Sequence, residues 1–375
     1  MRKVELLIKP VSYTCNLDCG YCFYKKTSGL YPGKELRMRE EILEKLIYET
    51  MVYSGGGPCV FSWQGGEPLL AGVNFFKKAV ELQKKYGRPG QMVSNNLQTN
   101  TIELDSEWIK LFKEYNFFIG ASLDGPPEVH NHYRRYRSGR GSFNRVMEGI
   151  RLLKKGGVEF NILTTLGRET AGNPKKIYKF FLSKELYYLQ FIPAADRKVR
   201  SGKMANFSIT PVQYGDFLCR LFDLWWNDGN PYVSVRLFDN IMEILLLGES
   251  SSCMFKEQCG EYIVVESNGD VYPCDFFVRK EWRIGNISEN SINELFDKAR
   301  ATFGKLKGIT PSDCKDCKWN FICHNGCLWF RWVNGGNMKE KDYLCEAYKK
   351  FFSYTMERFK KLQDVVASRS VARIA

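Results

Sequence analysis

The sequence predicts an α/β protein built on an open, partial (β/α)6 barrel of the TIM type, followed by a second domain. Over the first 230 residues, short β-rich segments alternate with segments whose apolar residues recur at helical spacing. After Asn230 and Pro231 this alternation stops and eight of the thirteen cysteines follow. With 375 residues, 44% of them hydrophobic, the chain can bury a core large enough for both parts.

The elements of the barrel are assigned from composition and spacing. Six strand candidates are rich in β-branched and apolar residues and cover residues 4–8, 60–63, 92–97, 117–122, 160–163 and 188–192. Five amphipathic helix candidates cover residues 39–53, 73–86, 106–115, 143–155 and 174–184. In such barrels the reactive groups follow the carboxyl ends of the strands, so we expect the chemistry there.

The second part contains an apolar helix over 237–247 and a hairpin that turns at Asn268 and Gly269. An amphipathic helix is predicted over 343–366, and the last nine residues show no pattern. The predicted domains are therefore a barrel over 1–230, a cysteine-rich domain over 231–366 and a tail over 367–375.

Composition restricts the class of protein. The sequence has no apolar run near the roughly 18 residues of a membrane helix and no N-terminal signal pattern. We therefore expect a cytoplasmic protein that does not enter a membrane. Lys and Arg number 55 against 42 for Asp and Glu, which gives a net charge of +13. Such an excess indicates a nucleic-acid partner, an acidic partner, or negatively charged groups bound inside the protein that offset it.

The thirteen cysteines favour the third interpretation, in which bound groups inside the protein carry negative charge. Cytosolic thiols stay reduced, so closely spaced cysteines more often bind metal than form disulfides. Three [4Fe-4S] clusters, one held by three thiolates and two by four, would lower +13 to about +8. This offset, together with basic residues scattered along helices, argues against a nucleic-acid partner. If the protein did bind nucleic acid, its affinity should fall steeply as the salt concentration rises.

Directly after the first strand, Cys15, Cys19 and Cys22 form a C-x3-C-x2-C triplet on a loop. Three thiolates leave one iron of a cluster open to another ligand. The alternatives are a zinc loop, which normally adds a second cysteine pair, or three unrelated buried thiols.

This triplet resembles the defining motif of the radical S-adenosylmethionine (SAM) enzymes. The Gln64-Gly65-Gly66-Glu67-Pro68 turn, the Ser122-Leu123-Asp124-Gly125 segment and Arg134 agree with it in order and location. The resemblance implies that the turn holds the SAM amino group, that Ser122 and Asp124 approach its ribose and carboxylate, and that Arg134 binds the carboxylate. The alternative for the basic run from Arg134 to Arg140 is a solvated loop. The SAM contacts implied by the resemblance are Tyr21, Gln64, Gly65, Gly66, Glu67, Ser122, Asp124, Arg134 and Ala195.

Ala195 departs from the family pattern, because members often carry a larger apolar residue there, over the adenine. The chemistry implied by the resemblance is reductive cleavage of SAM to methionine and a 5′-deoxyadenosyl radical, which abstracts a hydrogen atom.

The distal cysteines resemble the SPASM extension of radical SAM enzymes. Their spacing includes Gly269-x4-Cys274 and a C-x2-C-x5-C-x3-C run from Cys314 to Cys327. The resemblance assigns one auxiliary [4Fe-4S] cluster to Cys253, Cys259, Cys274 and Cys327, and the other to Cys314, Cys317, Cys323 and Cys345. A zinc ribbon over 314–327 is the alternative, but it leaves four cysteines unexplained. Cys59 and Cys219 are expected to be small buried hydrophobic residues.

Longer segments are similar to the anaerobic sulfatase-maturating enzymes, namely Cys22-Phe23-Tyr24, residues 64–72, residues 96–100 and residues 272–276. That family oxidises a cysteine or serine of an unfolded sulfatase segment, of the type Cys/Ser-x-Pro/Ala-x-Arg, to Cα-formylglycine. The resemblance also implies flavodoxin or ferredoxin as the reductant.

Asp275 is the candidate general base. Removing hydrogen from Cβ leaves a carbon radical, and a second electron leaves only if the adjacent thiol or hydroxyl loses its proton. A carboxylate beside the cluster ligand Cys274 is suited to take that proton. Tyr24, Gln64 and Gln98 lie at the predicted barrel mouth and are candidates to bind the peptide backbone, or alternatively to brace the loop or SAM.

Two other functions share part of this pattern. A SPASM maturase that crosslinks a ribosomal peptide, for example through a thioether, has the same cluster motifs. Many such enzymes add an N-terminal recognition domain, however, and here the first cluster cysteine is at position 15. An electron-transfer scaffold would not use the open iron that the triplet indicates.

Overall fold

The computed structural model describes residues 1–33, 36–198 and 201–372. Its strands, in chain order from β1 to β10, are Val4–Ile8, Cys59–Trp63, Val93–Thr99, Phe118–Ser122, Phe160–Leu166, Tyr188–Pro193, Ser234–Val235, Tyr262–Val265, Asp270–Tyr272 and Gly285–Asn286. Its α-helices, from α1 to α13, are Glu40–Ser54, Val73–Tyr86, Ser106–Glu114, Pro127–Tyr133, Phe143–Lys155, Pro174–Ser183, Pro211–Trp226, Arg236–Leu247, Ile292–Ala299, Lys305–Gly308, Asn320–Cys323, Leu328–Gly335 and Cys345–Ala372.

The six predicted strands and five predicted helices of the barrel are all present, with ends that differ by three residues or fewer. The predicted helix over 237–247 begins one residue earlier, at Arg236, and the hairpin turns where expected, with Gly269 at φ +87°. The last helix continues to Ala372, beyond the predicted end at 366. Residues 373–375 of the predicted tail lie outside the described residues.

Helix α7 was missed by the sequence analysis although its start carries a clear signal. The Thr210 hydroxyl oxygen accepts a hydrogen bond from the N–H of Gln213, and the Thr210 N–H donates to the side-chain oxygen of Gln213. Pro211 occupies the first turn. This reciprocal capping box with a proline at the first helical position is a sequence-level sign of a helix start.

The chain forms two compact units that interleave in sequence. The first comprises Met1–Leu123, His130–Asn161 and Cys259–Lys305. Its strands lie in the order β10-β9-β8-β1-β2-β3-β4. Strands β1 to β4 are parallel, and β8 also pairs in parallel with β1, so that Glu5 lies opposite Tyr262. The hairpin of β8 and β9 therefore extends the sheet beside β1, which brings the residues after β9 near the loop after β1.

The second unit comprises Asp124–Val129, Ile162–Gln258 and Leu306–Ala375. Parallel strands β5, β6 and β7 lie in that order, and α13 packs along α7. Phe222 and Trp225 of α7 contact Phe359 of α13, with ring centroids 4.9 Å and 6.1 Å from it. These aromatic contacts bury the apolar faces of both helices.

The fold class predicted from the sequence is confirmed, since each unit contains parallel strands connected through helices, as in an open α/β fold. Among the described residues, no helix is both long and apolar enough to cross a membrane. The domain limits 1–230, 231–366 and 367–375 stay a prediction, because the interleaved compact units follow contacts rather than chain order.

Candidate active site and its metal-binding cysteines

The cysteine triplet lies on the loop after β1, and all three side chains are partly buried. Backbone hydrogen bonds anchor this loop, since the N–H of Asp18 donates to Arg135 O at 2.7 Å and that of Gly20 to Tyr133 O at 3.0 Å. Burial raises the pKa of the Cys15 thiol to about 12. An iron ion at this sulfur would favour its thiolate form.

The turn after β2 brings Glu67 close to the triplet loop. Gly65 and Gly66 have φ values of +90° and +54°, and a Cβ atom on Gly66 would lie 2.1 Å from the carbonyl oxygen of Thr14. Only glycine fits this close approach. The N–H of Glu67 also donates to Thr14 O at 2.8 Å, which fixes the two loops against each other.

The Glu67 side chain is buried and accepts three hydrogen bonds. The donors are the Leu69 N–H at 3.1 Å, the Thr99 hydroxyl at 2.8 Å and the Asn100 N–H at 2.8 Å. Burial raises the pKa of Glu67 to about 7, although these hydrogen bonds oppose the shift. A buried carboxylate held by fixed donors is suited to an ammonium ligand, as expected for the SAM amino group.

Two further predicted contacts lie in the first unit. Gln98 donates to the Ser122 hydroxyl at 2.9 Å, so a residue predicted for the peptide directly orients one predicted for SAM. The Arg134 guanidinium lies 5.5 Å from the ring centroid of Tyr21. Arg134 is buried, whereas Arg135, Arg137 and Arg140 are exposed, so the solvated-loop alternative describes the rest of the run.

Asp124 and Ala195 belong to the second unit. Asp124 is buried and accepts a hydrogen bond from the Thr165 N–H at 2.9 Å, which ties it to β5. Ala195 is buried as well, and its carbonyl oxygen accepts a bond from the Trp329 indole at 3.2 Å.

Asp275 follows Cys274 in a short turn after β9 and lies against a buried lysine. The Nζ atom of Lys9 is 2.5 Å from Asp275 Oδ1, and it also lies 4.4 Å from the ring centroid of Tyr24. The Tyr24 hydroxyl donates to Glu266, whose pKa is raised to about 7, mainly by burial. Sequence reasoning missed Lys9 and Glu266, although each directly follows a buried apolar strand.

In the second unit, the four cysteines assigned to one auxiliary cluster line a single cavity together with Asp342 and Tyr348. These cysteines are Cys314, Cys317, Cys323 and Cys345. Burial raises the pKa of Cys323 to about 12 and that of Cys345 to about 11. Four converging sulfurs in a largely enclosed cavity fit a [4Fe-4S] cluster.

The other auxiliary set is divided between the compact units. Cys253 and Cys327 lie in the second unit, where Lys307 donates to the Cys253 carbonyl at 3.0 Å and the Cys327 N–H donates to Asp342 at 2.9 Å. Cys259 and Cys274 lie in the first unit, where the Tyr262 hydroxyl is 3.7 Å from Cys274 Sγ.

Within the described part of the chain, no three His, Cys, Asp or Glu side chains converge as ligands of a single metal ion. Cys59 and Cys219 are buried, as expected for hydrophobic residues.

Two family models match the chain: the radical SAM superfamily over residues 10–181 and the SPASM iron-sulfur cluster-binding domain over 253–318. Fold and site together thus define a radical SAM enzyme with a SPASM domain. The chain is 42% identical to the cysteine-type anaerobic sulfatase-maturating enzyme of Clostridium perfringens, over 96% of this chain and 98% of that protein. It is 36% identical to the serine-type enzyme of Bacteroides thetaiotaomicron, over 94% and 89% of the two chains.

A solved structure described as native anSMEcpe with bound AdoMet and Cp18Cys peptide matches with a TM-score of 0.90 and 40% identity. It covers 97% of this chain and 100% of that one. This chain belongs to the family of anaerobic sulfatase-maturating enzymes. The predicted cofactors, SAM and [4Fe-4S] clusters, are confirmed by this membership.

Proposed function

We propose that this enzyme oxidises a peptidyl cysteine or serine, in an unfolded sulfatase segment of the type Cys/Ser-x-Pro/Ala-x-Arg, to Cα-formylglycine. The similarity to sulfatase-maturating enzymes along nearly the whole chain carries this proposal. Cysteine is the proposed preferred target, because the relatives that match at 42%, 41% and 36% identity over 98% to 100% of their own lengths are cysteine-type enzymes.

When bound, the clusters supply the electron that cleaves SAM and an acceptor for the second electron of the oxidation. The protein's own part begins with SAM. Glu67 takes the amino group, while Arg134, beside Tyr21, takes the carboxylate. Ser122 and Asp124 are proposed to approach the ribose and the carboxylate of SAM, and Ala195 its adenine, while Gln98 orients the Ser122 hydroxyl.

Asp275 acts as the general base in this proposal. Bound SAM would supply the radical that removes one hydrogen atom from Cβ of the target residue. Asp275 would then take the thiol or hydroxyl proton as the second electron leaves. The cysteine product is a thioaldehyde, which water hydrolyses to the aldehyde with release of hydrogen sulfide. Serine yields the aldehyde directly. Support comes from the half-buried position of Asp275, which is held by Lys9 and stands next to Cys274.

The proposed partners are the unfolded sulfatase segment and a flavodoxin or ferredoxin reductant, in the cytoplasm. Gln64, Gln98 and Tyr24 are the proposed peptide contacts. Of these three, Tyr24 has the least support, because its side chain is buried in a hydrophobic cluster, its hydroxyl donates to Glu266 and its ring faces Lys9. This arrangement favours the alternative that Tyr24 braces the loop.

The test uses anaerobically reconstituted enzyme with SAM, dithionite and paired peptides that carry Cys-x-Pro-x-Arg or Ser-x-Pro-x-Arg. We expect a mass loss of about 18 Da on the cysteine peptide and about 2 Da on the serine peptide, with faster conversion of cysteine. Asp275→Asn should still form 5′-deoxyadenosine but little formylglycine. The exposed Asp364→Asn is the matched control and should behave as the unaltered enzyme.

SAM cleavage that leaves both peptides unmodified would overturn the substrate assignment and favour a peptide-crosslinking maturase. Full formylglycine yield from Asp275→Asn would instead remove Asp275 from the proton transfer and leave the substrate assignment intact.

A further inference from the structure

Lys9 is a buried charge that contacts Asp275 but takes no part in the hydrogen-atom and proton transfers proposed above. It follows β1 directly, is 1% exposed, and its backbone N–H donates to Val265 O at 2.9 Å, which fixes it beside β8. A lysine this deeply buried is strongly destabilising unless anionic or polar partners compensate its charge.

Two carboxylates provide that compensation. Asp275 contacts the Lys9 ammonium directly at 2.5 Å, and the charge of Lys9 also acts on the fully buried Glu266. Tyr24 connects the two sides, because its hydroxyl donates to Glu266 while its ring faces the ammonium at 4.4 Å. Lys9 therefore has contacts on several sides, so its ammonium has a defined position.

The aliphatic part of Lys9 is also held in place. A Cβ atom added to Gly65 would lie 2.3 Å from Lys9 Cδ and 3.2 Å from its Cβ and Cγ atoms. The absence of a side chain at Gly65 makes room for the lysine chain, in addition to allowing the φ of +90°. The turn proposed to bind SAM therefore packs directly against the lysine that contacts Asp275.

We infer that Lys9 is a positioning residue that holds the Asp275 carboxylate where it accepts the substrate proton. Asp275 sits at the start of a short 3-10 turn, and its side chain is 13% exposed. Without the Lys9 ammonium the carboxylate loses the 2.5 Å ion pair that holds it in one staggered conformation. The inference rests on the proposed role of Asp275 as the base.

The test compares Lys9→Met, which keeps chain length but removes the charge, with the exposed Lys3→Met as the matched control. For Lys9→Met we expect iron content and peptide Kd to stay within about twofold, while formylglycine formed per 5′-deoxyadenosine falls about tenfold or more, as for a misplaced catalytic group. A crystal structure of the variant should show Asp275 in more than one rotamer. Lys9→Gln, which keeps a hydrogen-bond donor, provides the same comparison if Lys9→Met does not fold.

The double variant Lys9→Met with Asp275→Asn isolates the link between the two residues. If Lys9 acts through Asp275, the double variant should form as much formylglycine per 5′-deoxyadenosine as Asp275→Asn alone. Additive losses, an unchanged ratio in Lys9→Met, or loss of iron together with activity would overturn the positioning role. If Asp275 is not the base, the single variant Asp275→Asn will itself form as much formylglycine per 5′-deoxyadenosine as the unaltered enzyme, which distinguishes this outcome from the others.

Discussion

The backbone N–H of Asn100 donates a 2.8 Å hydrogen bond to the carboxylate of Glu67, so the end of β3 holds a side chain from the turn after β2. Thr99 and Leu69 add two further donors. Because all three donors belong to fixed backbone or buried side chains, the carboxylate is oriented before any ligand arrives. Such preorganisation reduces the entropic cost of binding a cation.

The first prediction concerns the pH dependence of stability in cluster-free protein. The folded-state pKa of Glu67, about 7, lies above the model value of 4.5. The folded protein therefore favours the protonated form of Glu67. The stabilisation that this gives is fully present below about pH 4.5 and is lost as the pH rises through about 7. The loss is on the order of a few kcal/mol. Glu67→Gln should weaken the decline in urea stability between about pH 5 and 8.

The exposed Glu114→Gln is the control for this experiment and should retain the decline of the unaltered chain. An identical decline in Glu67→Gln would show that Glu67 does not titrate in this range.

The second prediction concerns SAM binding by the reconstituted enzyme. Replacing Glu67 by Gln keeps the shape but removes the charge, so SAM affinity should fall about tenfold or more through loss of a buried charge-assisted hydrogen bond. Equilibrium dialysis with labelled SAM measures this directly. An unchanged Kd, with full cluster content, would place the SAM amino group elsewhere.

The third prediction separates the radical cluster from the auxiliary clusters. Cys19→Ala should lower reconstituted iron from about twelve to about eight atoms per chain, because the triplet holds one of three four-iron clusters. SAM cleavage should be abolished while the electron paramagnetic resonance signals of the reduced auxiliary clusters remain. Cys219→Ala is the control, since that thiol is a buried hydrophobic residue of α7, and it should keep full iron. Equal iron loss in both variants would contradict the assignment.

The fourth prediction concerns the buried Arg331 of the second unit. Its guanidinium donates to the carbonyl oxygens of Lys307 at 3.1 Å, Ile309 at 2.7 Å and Glu340 at 3.1 Å. Arg331→Met removes the guanidinium from all three carbonyl oxygens and leaves that of the buried Lys307 without its donor, so it should lower the free energy of unfolding by about 3 kcal/mol. Denaturant unfolding, with the exposed Arg151→Met as control, measures the difference. A change below about 1 kcal/mol would mean that water replaces the guanidinium.

The local motifs were readable from the sequence because their chemistry depends on short spacing. The triplet of Cys15, Cys19 and Cys22 lies on one loop, and the Gly65-Gly66-Glu67 turn needs glycines for its positive φ values. Hydrophobic periodicity located the βα units for the same reason, since 3.6-residue and two-residue periods are properties of adjacent residues. Asp275 was recognisable because it directly follows Cys274 in the chain.

The surroundings of Asp275 were decided only by the tertiary structure. Lys9 and Glu266 belong to loops after β1 and β8, which are distant in sequence and become neighbours because Glu5 to Ile8 pair with Tyr262 to Val265. No local pattern encodes that register. The sequence by itself determined the βα units, the cysteine motifs and the family they indicate. The tertiary structure decided which buried charges meet, because their partners are set by strand pairing and by the cost of leaving a charge alone in the interior.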